Sequence, residues 1–119
     1  GRPKEAIQSF EKAIRLNPIP PSHYLHSLGM AYREAERYEE AVTACEKAIR
    51  LEPNNLFAHL VLAATYSMLG QEDRARAEAS EVLRIEPRFS MERLAKARPH
   101  IDPDNTARFA DALRKAGLK

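Results

Sequence analysis

Arg50-Leu51-Glu52-Pro53 has two near copies in this chain, Arg15-Leu16-Asn17-Pro18 and Arg84-Ile85-Glu86-Pro87, which lie 35 residues before it and 34 residues after it. A period of this length is typical of stacked helix pairs. Because each pair in such an array buries its apolar face against its neighbours, the repeat predicts an extended surface rather than a catalytic pocket.

The residues between the prolines repeat as well. Counting backwards from Pro53 and from Pro87, the same residue types recur at the same distances. Alanines fall where paired helices must approach closely, and leucine and tyrosine fall on an apolar helix face. The pairs that match at a spacing of 34 residues are Leu28/Leu62, Tyr32/Tyr66, Ala41/Ala75 and Pro53/Pro87.

This pattern resembles the tetratricopeptide repeat, in which Leu-Gly, Tyr, Ala and Pro occupy these positions. The resemblance covers residues 1–89, as a half repeat at 1–21 and full repeats at 22–55 and 56–89. It implies an all-α fold, a right-handed superhelical array of antiparallel helix pairs. Because the half repeat starts in the middle of a unit, we expect the chain to be a fragment of a longer protein.

The sequence departs from the family pattern at a few positions. Leu25 and His59 replace the usual large aromatic residue, and Ala63 replaces the glycine of the Leu-Gly pair. Glu36 stands where Gly70 stands one repeat later. None of these changes breaks the helical period, so they predict local differences in packing and no change of fold.

Prolines, glycines and capping residues predict where the helices begin and end. Pro3 suits a first helical turn and Pro18 ends that helix. Ser22 is an expected N-cap, and Asn54 or Asn55 is another. The predicted helices cover 3–16, 22–35, 38–51, 55–69 and 72–85, with Gly70 in the turn that joins the last two as a pair.

The period fails after Pro87, and residues 90–119 have different signals. Ser90 is an expected N-cap of a short helix that Pro99 ends, and Asp102 is an expected N-cap of a last helix that Gly117 closes. Arrays of this kind need an atypical terminal unit that shields their last apolar side. We therefore predict a pair of capping helices at 90–119.

This tail has a second resemblance. Pro87-Arg88-Phe89-Ser90-Met91-Glu92-Arg93, Asp102-Pro103 and Leu113-Arg114-Lys115-Ala116-Gly117-Leu118 are similar to the segment that follows the repeats in bacterial class III adenylate/guanylate cyclases and related signalling proteins. The resemblance implies a regulatory or scaffolding appendage of a bacterial signalling protein. An alternative is the self-association, or dimerisation, domain of a nucleotide cyclase-like protein. The cyclase catalytic domain has no counterpart here, so no enzymatic role is implied.

Composition agrees with a helical interaction domain. The net charge is +2, with −2 over residues 1–87 and +4 over residues 88–119. No run of about 18 apolar residues predicts a membrane span. Cys45 is the only cysteine, so nothing favours an oxidising compartment, and we expect a soluble cytoplasmic protein.

No residue set predicts catalysis, a metal or a cofactor. His23 and His26 share a helix face, but a zinc site needs three or four ligands. Cys45 is expected to be a buried thiol and His59 a satisfied interior histidine. Asp102 and Asp104 begin like a calcium loop whose later ligands are missing. We predict that the chain is not an enzyme and carries no cofactor.

The remaining candidate is a groove lined by the first helix of each repeat. Its earlier helix presents polar and apolar residues, and its later helix presents an apolar stripe beyond the one needed for packing. The candidate partner-binding residues are His26, Met30, Arg33, Phe57, Leu60, Val61, Ala64 and Met68.

Two interpretations of the extra stripe stay open. The chain's own neighbouring helices or basic tail cover it, or the groove accepts an amphipathic helix or an extended apolar peptide from a partner. Some family members grip the carboxylate of chaperone tails with Lys, Asn and Arg. Here the matching positions hold His26, Met30, Phe57 and Val61, so that partner is disfavoured.

Two partner classes other than a peptide or helix stay open. Self-association is an alternative because the half repeat is expected to expose Ile7, Phe10 and Ile14. Nucleic-acid binding is the weaker one, since a solvated cap surface explains the basic tail as well. Its candidate residues are Arg88, Arg93, Lys96, Arg98, Arg114 and Lys115, with Phe89 and Phe109 for stacking.

Overall fold

The computed structural model describes residues 3–17, 19–97 and 103–119, and all regular secondary structure within these ranges is α-helical. This confirms the predicted fold class. The described helices are α1 (Pro3–Leu16), α2 (Ser22–Glu34), α3 (Tyr38–Leu51), α4 (Leu56–Met68), α5 (Glu72–Ile85), α6 (Met91–Ala97) and α7 (Pro103–Lys115).

The helices pack as consecutive pairs. α2 packs on α3 and α4 on α5, while α1 packs on α2 and α3 on α4, so that each pair leans on the next. Tyr32 on α2 donates from its hydroxyl to Glu11 on α1 at 3.0 Å, and Tyr66 on α4 donates to Glu46 on α3 at 3.4 Å. The matched tyrosines of the two repeats therefore tie each pair to the preceding helix.

The turns within the pairs use one backbone motif. At Gly70, φ is 75°, and Gln71 N donates to Tyr66 O at 2.9 Å. At Glu36, φ is 64°, and Arg37 N donates to Tyr32 O at 2.8 Å. Both turns need a left-handed residue, which glycine adopts without steric cost. Glu36 holds this conformation with a side chain attached.

The predicted caps have mixed outcomes. Asn55 caps α4, accepting from Ala58 N at 3.0 Å, and Ser90 Oγ accepts from Arg93 N at 3.1 Å, which confirms both. The prediction for Ser22 is wrong, because Pro21 occupies the N-cap of α2 and Ser22 lies inside the first turn. The predicted cap Asp102 lies outside the described residues.

The first helix is better covered than we expected. Ile7 is 3% exposed and belongs to an apolar cluster with Leu28, Ala31 and Tyr32, while Phe10 is half-buried. The expectation that α1 exposes Ile7 is therefore wrong, because α2 covers the apolar stripe of α1.

No helix in the described ranges is long and apolar enough to span a lipid bilayer.

Candidate interaction groove

Helix α4 is apolar on two opposite faces. His59 and Tyr66 reach Glu78 on α5 and Glu46 on α3, which identifies the face turned towards those helices. Residues on the opposite face follow at intervals of three and four, as helical periodicity requires. They are Phe57, Leu60, Val61, Ala64 and Met68, all members of the predicted groove.

Helix α7 packs on α4 and covers this second face. Leu60 is 2% exposed, and Val61 and Ala64 are fully buried. On α7, Phe109 and Leu113 are buried in the same cluster. The extra apolar stripe of α4 is therefore covered by the chain's own tail, which is the first of the two interpretations given above. Leu60, Val61 and Ala64 are therefore not open to a partner while α7 is in place.

The α2 side of the groove contains a buried cation. Arg33 is 4% exposed, its Cζ lies 4.9 Å from the centroid of the Phe109 ring, and its Nε donates to Met30 Sδ at 3.3 Å. Its Nη2 has no hydrogen-bond partner among the described residues. Burial lowers the pKa of Arg33; the negative charge of Glu34 partly offsets this, and the charge of Arg108 on α7 adds a smaller lowering effect. The sequence analysis predicted Arg33 as a residue open to a partner, and the structure places it against Phe109 of α7.

One end of the groove is formed by His26 and Phe57, whose ring centroids lie 4.7 Å apart. Asn55 Oδ1 accepts from Ala58 N at 3.0 Å, and the Asn55 amide also meets His26 Nδ1, which lies 2.9 Å from Asn55 Nδ2 and 3.2 Å from Asn55 Oδ1. The cap of α4 thus also orients a predicted groove residue of α2. Both rings are half-buried.

At the other end, Met68 is largely exposed. The groove residues therefore divide into a part covered by α7 and partly open ends.

Residues 117–119 close α7 and connect it to α6. Gly117 has φ 106°, and Leu118 N donates to Leu113 O at 3.1 Å, which closes the helix in a Schellman turn. The carbonyl of Lys119 then accepts from Met91 N at 3.0 Å, at the start of α6. Lys119 is thus hydrogen-bonded to α6, the helix that follows the repeats.

The surroundings of the other candidate residues, Cys45 and His59, are those of structural residues in the protein interior. Cys45 is fully buried, and burial raises the pKa of its thiol. His59 Nδ1 lies 2.6 Å from Glu78 Oε2 and its Nε2 lies 2.9 Å from Pro53 O, as expected for a satisfied interior histidine. In the described part of the chain, no group of three potential ligands forms a metal site around His23 or elsewhere.

Nucleic-acid binding loses one of its stacking candidates. Phe109 lies on the buried face of α7 against Arg33, so its ring is not available to a base. Phe89 is half-buried, packed against the same apolar cluster. The basic residues of the tail that the structure describes are exposed, as on a solvated surface.

Sequence reasoning did not identify the residues of α7 that enter the groove. The signal was present, since Phe109, Ala112, Leu113 and Ala116 follow the i, i+3, i+4, i+7 spacing of an apolar helix face. The spacing alone does not predict that the apolar face of α7 packs on α4.

Comparison with known proteins gives the repeat family. Tetratricopeptide repeat models match residues 1–20, 24–55 and 44–77. The TPR repeat-containing thioredoxin TTL4 of Arabidopsis thaliana is 31% identical over 117 residues, which is 98% of this chain and 16% of that protein. The peroxisomal targeting signal receptor of Pichia angusta is 31% identical over 101 residues, covering 85% of this chain and 18% of that protein.

A solved structure shares the fold. The crystal structure of MamA superimposes with a TM-score of 0.72 at 23% identity, covering 98% of this chain and 67% of that one. The chain spans less than a fifth of the two curated relatives named above.

Proposed function

Because this chain contains tetratricopeptide repeats, we propose that it is a protein-interaction scaffold whose groove between α2 and α4 receives an amphipathic helix. The observation that supports this most is the second apolar face of α4. Packing between repeats requires only one apolar face, so the other is suited to a further helix.

The packing of α7 in the groove supports the proposal that the ligand is a helix. Its Phe109 and Leu113 are buried in the same apolar cluster as Leu60 and Val61 of α4. Recognition of a helix by such a groove depends on apolar anchors at successive turns. We propose that α7 holds the place of a partner helix, with Phe57 and Met68 at the ends of the groove as further anchors. The chain binds and does not catalyse.

A binding measurement tests this proposal. Phe109→Ala weakens the anchor of α7 in the full chain, and a fluorescent peptide of residues 103–119 is then added. We expect saturable binding by anisotropy, and weaker binding when Val61→Glu is combined with Phe109→Ala, because a carboxylate would be buried under the helix. Absence of peptide binding to the Phe109→Ala chain would contradict the groove as a helix receptor.

Self-association is a second candidate because of a different surface. Leu16 and Ile19, at the end of α1 and just after it, are each 76% exposed. Light scattering of the chain and of a Leu16→Ser, Ile19→Ser variant tests it. A dimer that the double variant abolishes supports self-association, and a monomer at every concentration removes it.

For the protein as a whole we propose a regulatory or scaffolding appendage of a bacterial signalling protein. The tail residues similar to those of nucleotide cyclases support this. The free, buried Cys45 is consistent with a reducing compartment, and we propose the cytoplasm.

A further inference from the structure

We propose that the partner helix carries a carboxylate that binds Arg33, at the position that Arg108 occupies on α7. The inference rests on the proposed function and specifies the chemistry of the ligand. Its basis is that α7, the helix that covers Arg33, offers no hydrogen-bond acceptor to Arg33 Nη2 among the described residues.

Arg33 is a buried cation with an incomplete set of partners. A guanidinium has five N–H donors and no acceptor, and charged groups are rarely buried without acceptors. Here Nε donates to a thioether sulfur, Met30 Sδ, at 3.3 Å, and Nη2 has no partner among the described residues. A donor that is both charged and unsatisfied favours any ligand that brings an oxygen acceptor to it.

Helix α7 brings an aromatic ring and a like charge instead. The Phe109 ring lies over the guanidinium, with 4.9 Å between Cζ and the ring centroid. The charge of Arg108, the preceding residue, repels that of Arg33 and lowers its pKa, an effect smaller than those of burial, which also lowers it, and of Glu34 on α2, which raises it. The apolar contacts of α7 therefore fit the groove, while the charge next to Phe109 has the wrong sign.

The shape of α7 and the charge of Arg33 together define the better ligand. It is an amphipathic helix with an aromatic residue, then small and leucine residues at the third and fourth positions after it, as in Phe109, Ala112 and Leu113. It carries Asp or Glu immediately before the aromatic residue. Such a helix makes the apolar contacts of α7 and adds a charge-assisted hydrogen bond.

The first test uses the intact chain. Arg108→Glu supplies a carboxylate at the proposed position, and Arg108→Gln is the matched control that only removes the like charge. We expect Arg108→Glu to increase the folding equilibrium constant at least about tenfold over Arg108→Gln, as hydrogen bonds to charged groups do. In an Arg33→Met background the difference should vanish. An equal effect in both backgrounds would overturn the role of Arg33.

The second test uses peptides in trans on the Phe109→Ala chain, or on Leu113→Ala if the first variant does not fold. A peptide of residues 103–119 with Arg108→Glu should bind at least about tenfold more tightly than the native peptide, and Arg33→Met should make the two equal. Equal binding of both peptides to the Arg33 chain overturns the carboxylate inference and leaves the groove as a helix receptor. If neither peptide binds, the proposed function itself fails.

Discussion

Gly29 on α2 packs directly against Cys45 on α3, and substituting it with alanine should damage this contact. A Cβ at Gly29 would overlap Cys45 Sγ and would lie 3.3 Å from the carbonyl oxygen of Ala41. Both neighbours are fully buried and have no free space to move into. In the next repeat the equivalent positions, 34 residues later, hold the buried residues Ala63 and Ala79.

The expected free energies can be stated for each variant. Alanine in place of glycine inside a helix stabilises by about 1 kcal/mol, and overpacking a filled core costs about 1–3 kcal/mol. Gly29→Ala alone should therefore destabilise by up to about 2 kcal/mol. Cys45→Ala alone should cost about 1–2 kcal/mol for the lost buried group and its cavity.

The double variant should behave unlike the sum of the single ones. In Gly29→Ala, Cys45→Ala the new methyl group occupies the space of the removed sulfur, which reproduces the residue pair at the equivalent positions of the next repeat, Ala63 and Ala79. We expect its stability to lie within about 1 kcal/mol of the original chain, and the coupling energy to be about 2 kcal/mol.

Urea denaturation followed by circular dichroism at the helical minimum measures all four members of the cycle. Ala63→Gly is the matched control, expected to cost about 1 kcal/mol with no relief from Cys45→Ala. If the free-energy changes of the two single variants add up to that of the double variant within about 0.5 kcal/mol, Gly29 and Cys45 are not coupled. That result would contradict the close approach of α2 and α3 at Gly29.

Two further predictions concern the turn at Glu36 and the buried pair at His59. Glu36→Gly should stabilise the chain by up to about 1 kcal/mol in urea denaturation, because glycine adopts φ 64° without strain, and a loss of stability would contradict this. Burial of His59 disfavours its charged form, but hydrogen bonds to Glu78 and Pro53 outweigh this and raise its pKa. Its contribution to stability should therefore be fully present below about pH 6.5, the unfolded value, and lost as the pH rises through the higher folded pKa, seen as a falling urea midpoint. His59→Leu, which copies Leu25 of the preceding repeat, should remove this part of the pH dependence, and an unchanged profile would count against the charged pair.

The bounds of the helices were largely predictable because they depend on local chemistry. Proline and glycine restrict the backbone wherever they occur, so Gly70 and Gly117 ended helices where the sequence indicated. The cap at Ser22 was predicted wrongly because two residue types competed for one position. Pro21 already supplies a backbone conformation suited to the N-cap, which leaves Ser22 inside the helix.

The groove was only partly predictable because its cover comes from a distant part of the chain. The apolar stripe around Val61 showed that α4 must be covered on a second face, but periodicity does not state by which element. The burial of Arg33 follows from the same docking of α7, which no local pattern of α2 encodes. Comparison of the two repeats could have revealed the partner of His59, since Leu25 and Ala44 in one repeat become His59 and Glu78 in the next.

The most direct test of whether α7 occupies a helix-binding groove is hydrogen exchange measured by mass spectrometry. The exchange is measured with and without the Arg108→Glu peptide of residues 103–119. In the chain alone, backbone amides of α7 should be protected to the same degree as those of α4. When the peptide is added in excess, the amides of α7 should lose protection while those of α4 remain protected. Peptide binding that leaves α7 fully protected would show that the ligand is received elsewhere and that α7 is a fixed part of the core.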